Sequence, residues 1–216
     1  NINEIVNQVL LNGSIELYSY FNIKNYRPKN LNLILIKLII NDNFNLFKNL
    51  LINFNYKNYN ELLDFSAKYN KSNFSKYILK FIKNYKDINI KIIEQIIVNG
   101  DIILLNYLKN KKFNFKKVNP SILLKICYNG NLNLIKWFLN LELNLEEVKY
   151  KAFKTLIIND NYKQAIFLFN NIENINLEYN NNECLKHVCY SGNLYMINWL
   201  ISKSNNLNIL LNHEIF

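Results

Sequence analysis

Cys184, His187 and Cys189 form the one cluster in this sequence that could do covalent or metal chemistry. Cys184 and His187 are three apart, which on a helix puts a thiol and an imidazole on one face. Such a pair generates a thiolate nucleophile when a third group orients the imidazole and donors await the oxyanion. Two thiols and an imidazole also amount to three of the four ligands that a structural zinc ion takes. Neither set is completed. The other histidine, His213, is distant in sequence, and no orienting or oxyanion motif accompanies the cluster. Gly130 and Gly192 stand alone, so neither common glycine-rich phosphate loop exists. The expectation is a non-enzymatic chain with no catalytic residue, no metal site and no cofactor. Cys189 then fills a small core position, Cys184 packs at a helix start, and His187 faces a groove.

Charge offers a second chemistry. The 216-residue chain is half hydrophobic, enough for a sizeable core, and carries a formal net charge of +10. Its densest basic stretch is Lys109, Lys111, Lys112, Lys116 and Lys117, interleaved with Phe113 and Phe115. Lysines around aromatics could form a stacking platform for single-stranded nucleic acid. Yet Arg27 is the only arginine, and base and phosphate forks lean on arginine. The other lysines are spread along the chain, as on a solvated surface. Three cysteines at irregular positions make no disulfide framework and fit reduced thiols in the cytoplasm. The most apolar run, Leu31 to Ile40, is interrupted by Asn32 and Lys37, so no membrane span is expected.

The elements that hold these residues repeat. Ile126 to Leu139 reads I-C-Y-N-G-N-L-N-L-I-K-W-F-L, and Val188 to Ile201 reads V-C-Y-S-G-N-L-Y-M-I-N-W-L-I. With Gly130 as phase marker, the chain gives Gly13, Asp42, Ser72, Gly100, Gly130, Asp160 and Gly192, spaced by 29, 30, 28, 30, 30 and 32 residues. All four glycines fall on this phase, as a tight turn at positive φ requires. One position on stand Ser14, Asn43, Asn73, Asp101, Asn131, Asn161 and Asn193, which read as helix N-caps. Apolar residues two, five and eight positions on mark one helical face, with Lys80 the exception. Apolar residues seven and three positions before the turn mark a shorter helix. An apolar-Asn-apolar piece, as in Phe113-Asn114-Phe115 and Leu143-Asn144-Leu145, connects one unit to the next.

The expected fold is all-α: a helical-repeat solenoid of about seven helix-turn-helix units in a single domain over 1–216. The approximate units are 1–32, 33–62, 63–90, 91–120, 121–150, 151–182 and 183–216. The third is the least regular, because Lys68 and Lys76 fall on phases that are apolar elsewhere, and a one-residue slip or a distortion is expected there. Trp137 and Trp199 occupy equivalent sites and are expected to be half-buried at the seam between units.

The two quoted stretches resemble the second half of the ankyrin repeat, A-A-x-x-G-H-L-E-I-V-K-x-L-L. Cys127 and Cys189 stand at the family's second alanine, and Asn131 and Asn193 at its histidine. The asparagine-, isoleucine-, lysine- and tyrosine-rich background resembles the degenerate ankyrin arrays encoded by AT-rich giant viruses and amoebae. The family's T-P-L-H helix opening is missing, and the period is about 30 rather than 33. The resemblance implies a scaffold that binds a protein partner on its concave face. The two residues before each turn are prominent contacts in that family. Carried over, they are Val98 and Asn99, Tyr128 and Asn129, Ile158 and Asn159, and Tyr190 and Ser191. Tyr128 and Tyr190 are the foremost candidates, since tyrosine offers rigid apolar area and a hydroxyl. A single-copy chain and a protein partner are expected, with nucleic-acid binding through the lysine-rich surface as the alternative.

Overall fold

In the computed structural model, residues 2–12, 28 and 30–204 are described. They form thirteen α-helices, joined by turns and two short 3-10 segments, with no strand among them. Contacts divide the chain into two compact units, Asn1–Lys117 and Val118–Phe216. The division cuts through the stretch 91–120 that the sequence suggests as one repeat, although no linker composition marks it.

The first unit contains α1 (Ile2–Leu11), α2 (Leu31–Ile40), α3 (Phe44–Asn53), α4 (Tyr59–Lys68), α5 (Ser72–Leu79), α6 (Ile90–Asn99) and α7 (Ile102–Asn110). The second contains α8 (Ile122–Tyr128), α9 (Leu132–Leu139), α10 (Lys149–Ile158), α11 (Tyr162–Asn171), α12 (Tyr179–Ser191) and α13 (Leu194–Lys203). None is long enough to be stable alone in water, so packing must hold each one. Within each unit the helices pair as α2 with α3, α4 with α5, α6 with α7, α8 with α9, α10 with α11 and α12 with α13. First helices also pack on the next first helix, α2 on α4 on α6 and α8 on α10 on α12. Second helices do the same, α5 on α7 and α9 on α11. Helix α2 meets α1, α3 and α4, which explains why its sequence is apolar almost all round.

One left-handed residue joins the helices of each pair. Asp42, Asn70, Gly100, Gly130, Asp160 and Gly192 have φ between +52° and +76°. After α2 the amide of Asn43 donates to Leu38 O at 2.9 Å and that of Asp42 to Ile39 O at 3.2 Å. This crossed pair satisfies the carbonyls that a helix end leaves orphaned. The same pattern closes α4 at Asn70 and α10 at Asp160. The next residue caps the second helix: Asn43, Asp101, Asn131 and Asn193 each accept the amide three residues on, at 2.9–3.2 Å. Asn161 makes no such bond. Gly13 and Ser14 lie outside the described residues.

The third turn corrects the sequence expectation. The residue at positive φ is Asn70, not Ser72, and Ser72 begins α5 behind Lys71. The slip is two residues, and once it is made the pair is regular. Leu62, Leu63, Ser66 and Ala67 take the buried places that Ile34, Leu35, Leu38 and Ile39 hold one pair earlier. Phe74, Ser75, Ile78 and Leu79 likewise match Leu46, Phe47, Leu50 and Leu51. Lys68 and Lys76 then fall on exposed positions, and Asn73 lies inside the helix rather than at its cap. Two serines thus replace large apolar groups in the core. Ser66 Oγ donates to Leu63 O at 2.9 Å, which leaves it to accept from Ser75 Oγ at 2.7 Å. Both hydroxyls are satisfied without water, as burial demands. Phe74 fills the neighbouring space edge-on between Phe44 and Phe47, 5.0 Å from each ring.

A second refinement concerns the buried face of the second helices. Positions four, five and eight after the turn are sealed in most pairs, as at Leu104, Leu105 and Leu108 or Leu134, Ile135 and Phe138, with Gln164 and Ile197 half-buried. Position two is only half-buried at Phe44, Ile102, Leu132 and Tyr162. The connecting asparagines have a defined task. Asn89, Asn114, Asn144 and Asn176 each accept the amide two residues on, at 2.9–3.1 Å. This turn lets the chain re-enter a helix without free amides.

The register of the third pair can be tested by substitution. Asn70→Val forces a β-branched residue into the left-handed region and is expected to cost about 1–2 kcal/mol. Asn73→Val exchanges residues of similar helix propensity and is expected to change stability by less than about 0.5 kcal/mol. Urea melts of the two variants would read the difference. A larger loss at Asn73 would place the cap there and restore the turn at Ser72.

Candidate partner-binding face

The first helices of the second unit end alike. In α8, α10 and α12, Ile126, Leu156 and Val188 point into the core, followed by Cys127 and Ile157, which are buried, and Cys189, which is half-buried. One residue further the chain has turned about 100° about the helix axis, and the side chain emerges. Tyr128, Ile158 and Tyr190 occupy that place, with exposures of 66, 45 and 92 %. Successive first helices pack side by side, so these three large apolar side chains recur from one helix to the next. They contribute little to the core that positions them.

Hydrogen bonds between consecutive turns hold the backbone beneath this row. Gln164 Nε2 donates to Gly130 O at 2.8 Å. The side-chain amide of Asn161 covers the α-carbon of Gly130, where an added Cβ would come within 2.5 Å of its oxygen. Tyr162 donates its hydroxyl to Asp160 Oδ1 at 2.6 Å and lies 3.2 Å from Ser191 Oγ. Burial, and then this carboxylate, raises the phenol pKa of Tyr162 above its ordinary value. Ser191 Oγ donates to Val188 O at 2.9 Å. Asn129 and Asn159 are exposed beside the row, and Asn159 Nδ2 returns to Thr155 O at 2.7 Å.

The corresponding residues of the first unit are less available. Val98 is half-buried, and Asn99 Nδ2 donates to Ala67 O at 2.6 Å while its oxygen accepts from Gln95. With the corrected turn at Asn70, the row in this unit runs Ile40, Lys68, Val98, so a lysine interrupts it. Lys71 bridges two turns by pairing with Asp42 at 3.0 Å.

The cluster with possible covalent chemistry does not converge. Cys184 is 1 % exposed, and its thiol lies 3.7 Å from the Tyr150 hydroxyl. Burial pushes that thiol up to about 11, with smaller opposing contributions from neighbours, and burial pushes Cys127 up to about 12. Cys189 is half-buried and its thiol is also raised by burial. A raised pKa suppresses the thiolate that nucleophilic attack needs. His187 is half-buried, and among the described residues no three His, Cys, Asp or Glu side chains could share a metal ion. His213 lies outside the described residues. Trp137 is buried more deeply than expected, and Trp199 sets its ring edge-on to Phe169 at 5.2 Å, sealing α13 onto α11. In the basic stretch Phe115 is buried and holds the half-buried Phe113 edge-on at 5.0 Å, so the Phe115 ring is committed to packing. No described helix is long and apolar enough to cross a membrane.

Thiol accessibility gives a direct check of this arrangement. In the folded protein at pH 8, a thiol-exchange reagent should label Cys189 first. Cys127 and Cys184 should react only after denaturant opens the helices. Fast labelling of Cys184 in the native state would contradict its burial.

Comparison of the chain with family models, curated proteins and solved structures returns no match.

Proposed function

We propose that this chain is a non-enzymatic protein-interaction scaffold, built as an ankyrin-like helical solenoid of about seven units. The row Tyr128, Ile158 and Tyr190 is the observation that carries the reading. Large apolar side chains are costly to leave in water, and a soluble fold gains nothing by placing three in register on neighbouring helices. The side-by-side packing of α8, α10 and α12 supports the stacked architecture, since each first helix buries one flank against the next. Tyrosine at two of the three positions supplies area that loses little conformational entropy when a partner covers it.

The chemistry around the row describes the partner. Lys125 and Lys151 are exposed on α8 and α10, and Lys186 and His187 are half-buried on α12. On α10 and α12, Lys154 is neutralised by Glu183, the two forming a close ion pair. The row is apolar, and the charges beside it are mostly positive, with the exposed Asp160 carboxylate held by Tyr162. A partner segment with apolar residues flanked by aspartate or glutamate meets both demands. Nucleic acid is the second reading, favoured by the exposed lysines at 109, 111, 112, 116 and 117. The burial of Phe115 removes one ring of the stacking platform that such binding would use.

The test is affinity capture from the native cell with wild-type protein and two variants. Tyr128→Ala/Ile158→Ala/Tyr190→Ala should abolish retention of a specific partner, weakening it by at least about 30-fold. Ile52→Ala/Ile103→Ala removes exposed apolar groups elsewhere and should retain it. Both variants should melt within a few degrees of wild type. Equal retention by all three proteins would remove the face from consideration.

A further inference from the structure

The first unit contains an open cleft of about 710 Å³ between two successive connecting loops. Residues 83–90 form one wall and residues 111–117 the other. Five lysines line it: Lys83, Lys86, Lys111, Lys112 and Lys117. No carboxylate is among its lining residues that are described. Asp87, in the same loop, accepts from Asn84 Nδ2 at 3.1 Å but does not line the space. None of the five lysines belongs to an ion pair among the described residues. Lys111 leans on the ring of Tyr107, 5.7 Å from its centre, which offsets only part of its charge.

The walls are held before any ligand arrives. Asn84 and Asn114 each accept the amide two residues on, at 3.1 Å, fixing both loops. Tyr85 donates its hydroxyl to Leu79 O at 3.0 Å, and Phe113 packs on buried Phe115. Lys112 adopts φ +58° just past α7, as Asn55, Glu142 and Asn174 adopt positive φ past other second helices. A lysine has no local hydrogen bond to gain from that conformation, unlike asparagine. Its position there puts a cation at the cleft. Tyr85, Ile88, Ile90 and Phe113 add an apolar stretch beside the cations.

Several unpaired ammonium groups around one concavity repel each other and concentrate positive potential. Lysine meets phosphate as a mobile point charge, and several can share one multivalent anion. We propose that this cleft binds a compact polyphosphate-bearing small molecule, its phosphates among the lysines and any organic part against Phe113 and Ile90. A single monovalent anion would leave most of the charge unanswered. The volume suits a molecule of drug size rather than a folded macromolecule. The site is independent of the tyrosine face, which belongs to the second unit.

The experiment is calorimetric titration of the full chain at about 50 mM salt with inorganic tripolyphosphate, ATP, adenosine and a single-stranded oligonucleotide. Tripolyphosphate and ATP should each bind with one-to-one saturation, and adenosine alone should not. Tighter binding of ATP than of tripolyphosphate would assign the apolar wall to a nucleoside, and equal binding would assign the site to the phosphate chain alone. Both are forms of the proposal. Lys83→Gln/Lys86→Gln/Lys112→Gln should weaken binding at least tenfold. Lys136→Gln/Lys163→Gln/Lys203→Gln removes the same charge from exposed places in the second unit and should change it less than twofold. Thermal melts of both variants confirm folding. The proposal is overturned by equal losses in the two variants, by no saturable binding of either phosphate compound, or by binding of the oligonucleotide alone.

Discussion

The structure depends on a single residue held in the left-handed region between two helices. At Asp42, Asn70 and Asp160 it reverses the chain while the crossed amide bonds close the outgoing helix, and at Gly100, Gly130 and Gly192 the amide also reaches back three residues. The next residue already caps the incoming helix at four of these turns. There is no slack in such a connection. It sets the angle between paired helices and therefore which side chains reach the core. The residue two before the turn lies one helical step past the buried face, and at Tyr128, Ile158 and Tyr190 it emerges into solvent. Packing between neighbouring pairs then stabilises helices too short to survive alone. Burying each leucine or isoleucine contributes about 1.5–3 kcal/mol, far more than any cap.

The all-helical architecture was legible because this turn restricts residue types. Glycine accepts positive φ without steric cost, and its rarity here made three of the observed turns conspicuous. Asp42 and Asp160 followed from the period. Asn70 did not, because asparagine is so frequent in this chain that one more carries no signal. The regular spacing favoured Ser72 instead. Burial would have decided the matter, since only the shifted register sends Lys68 and Lys76 to solvent. The core serines disguised it further, because Ser66 and Ser75 interrupt the apolar pattern where their mutual hydrogen bond compensates. Other left-handed residues stand at Lys112, Glu142 and the run Asn180 to Asn182, and of these only the asparagines are of a type that favours that region.

The candidate sites differ in the same way. Tyr128 and Tyr190 stand at fixed offsets from glycine, so their exposure could be anticipated from phase. Val98 and Asn99 share the offset but are partly covered, and Asn99 is spent on Ala67 O. The basic cleft was half visible. The lysines at 111–117 form an obvious cluster, whereas Lys83 and Lys86 are far from them in sequence. The fold brings the two loops together, so two modest clusters become one concavity.

Magnitudes indicate how much of an interaction the exposed row can support. Covering Tyr128, Ile158 and Tyr190 completely would return roughly 2 kcal/mol each, less for Ile158 because it is already half covered. The total, about 5 kcal/mol, falls short of the roughly 8 kcal/mol that a micromolar complex needs, even before the entropy lost on association. The difference must come from the margin. Exposed Lys125 and Lys151 can form charge-assisted contacts, each stronger when a partner excludes water around it. A purely apolar peptide would therefore bind weakly and with little dependence on salt. An apolar segment bearing two or more carboxylates at the spacing of α8 and α10 would gain affinity from the same face and lose much of it as ionic strength rises.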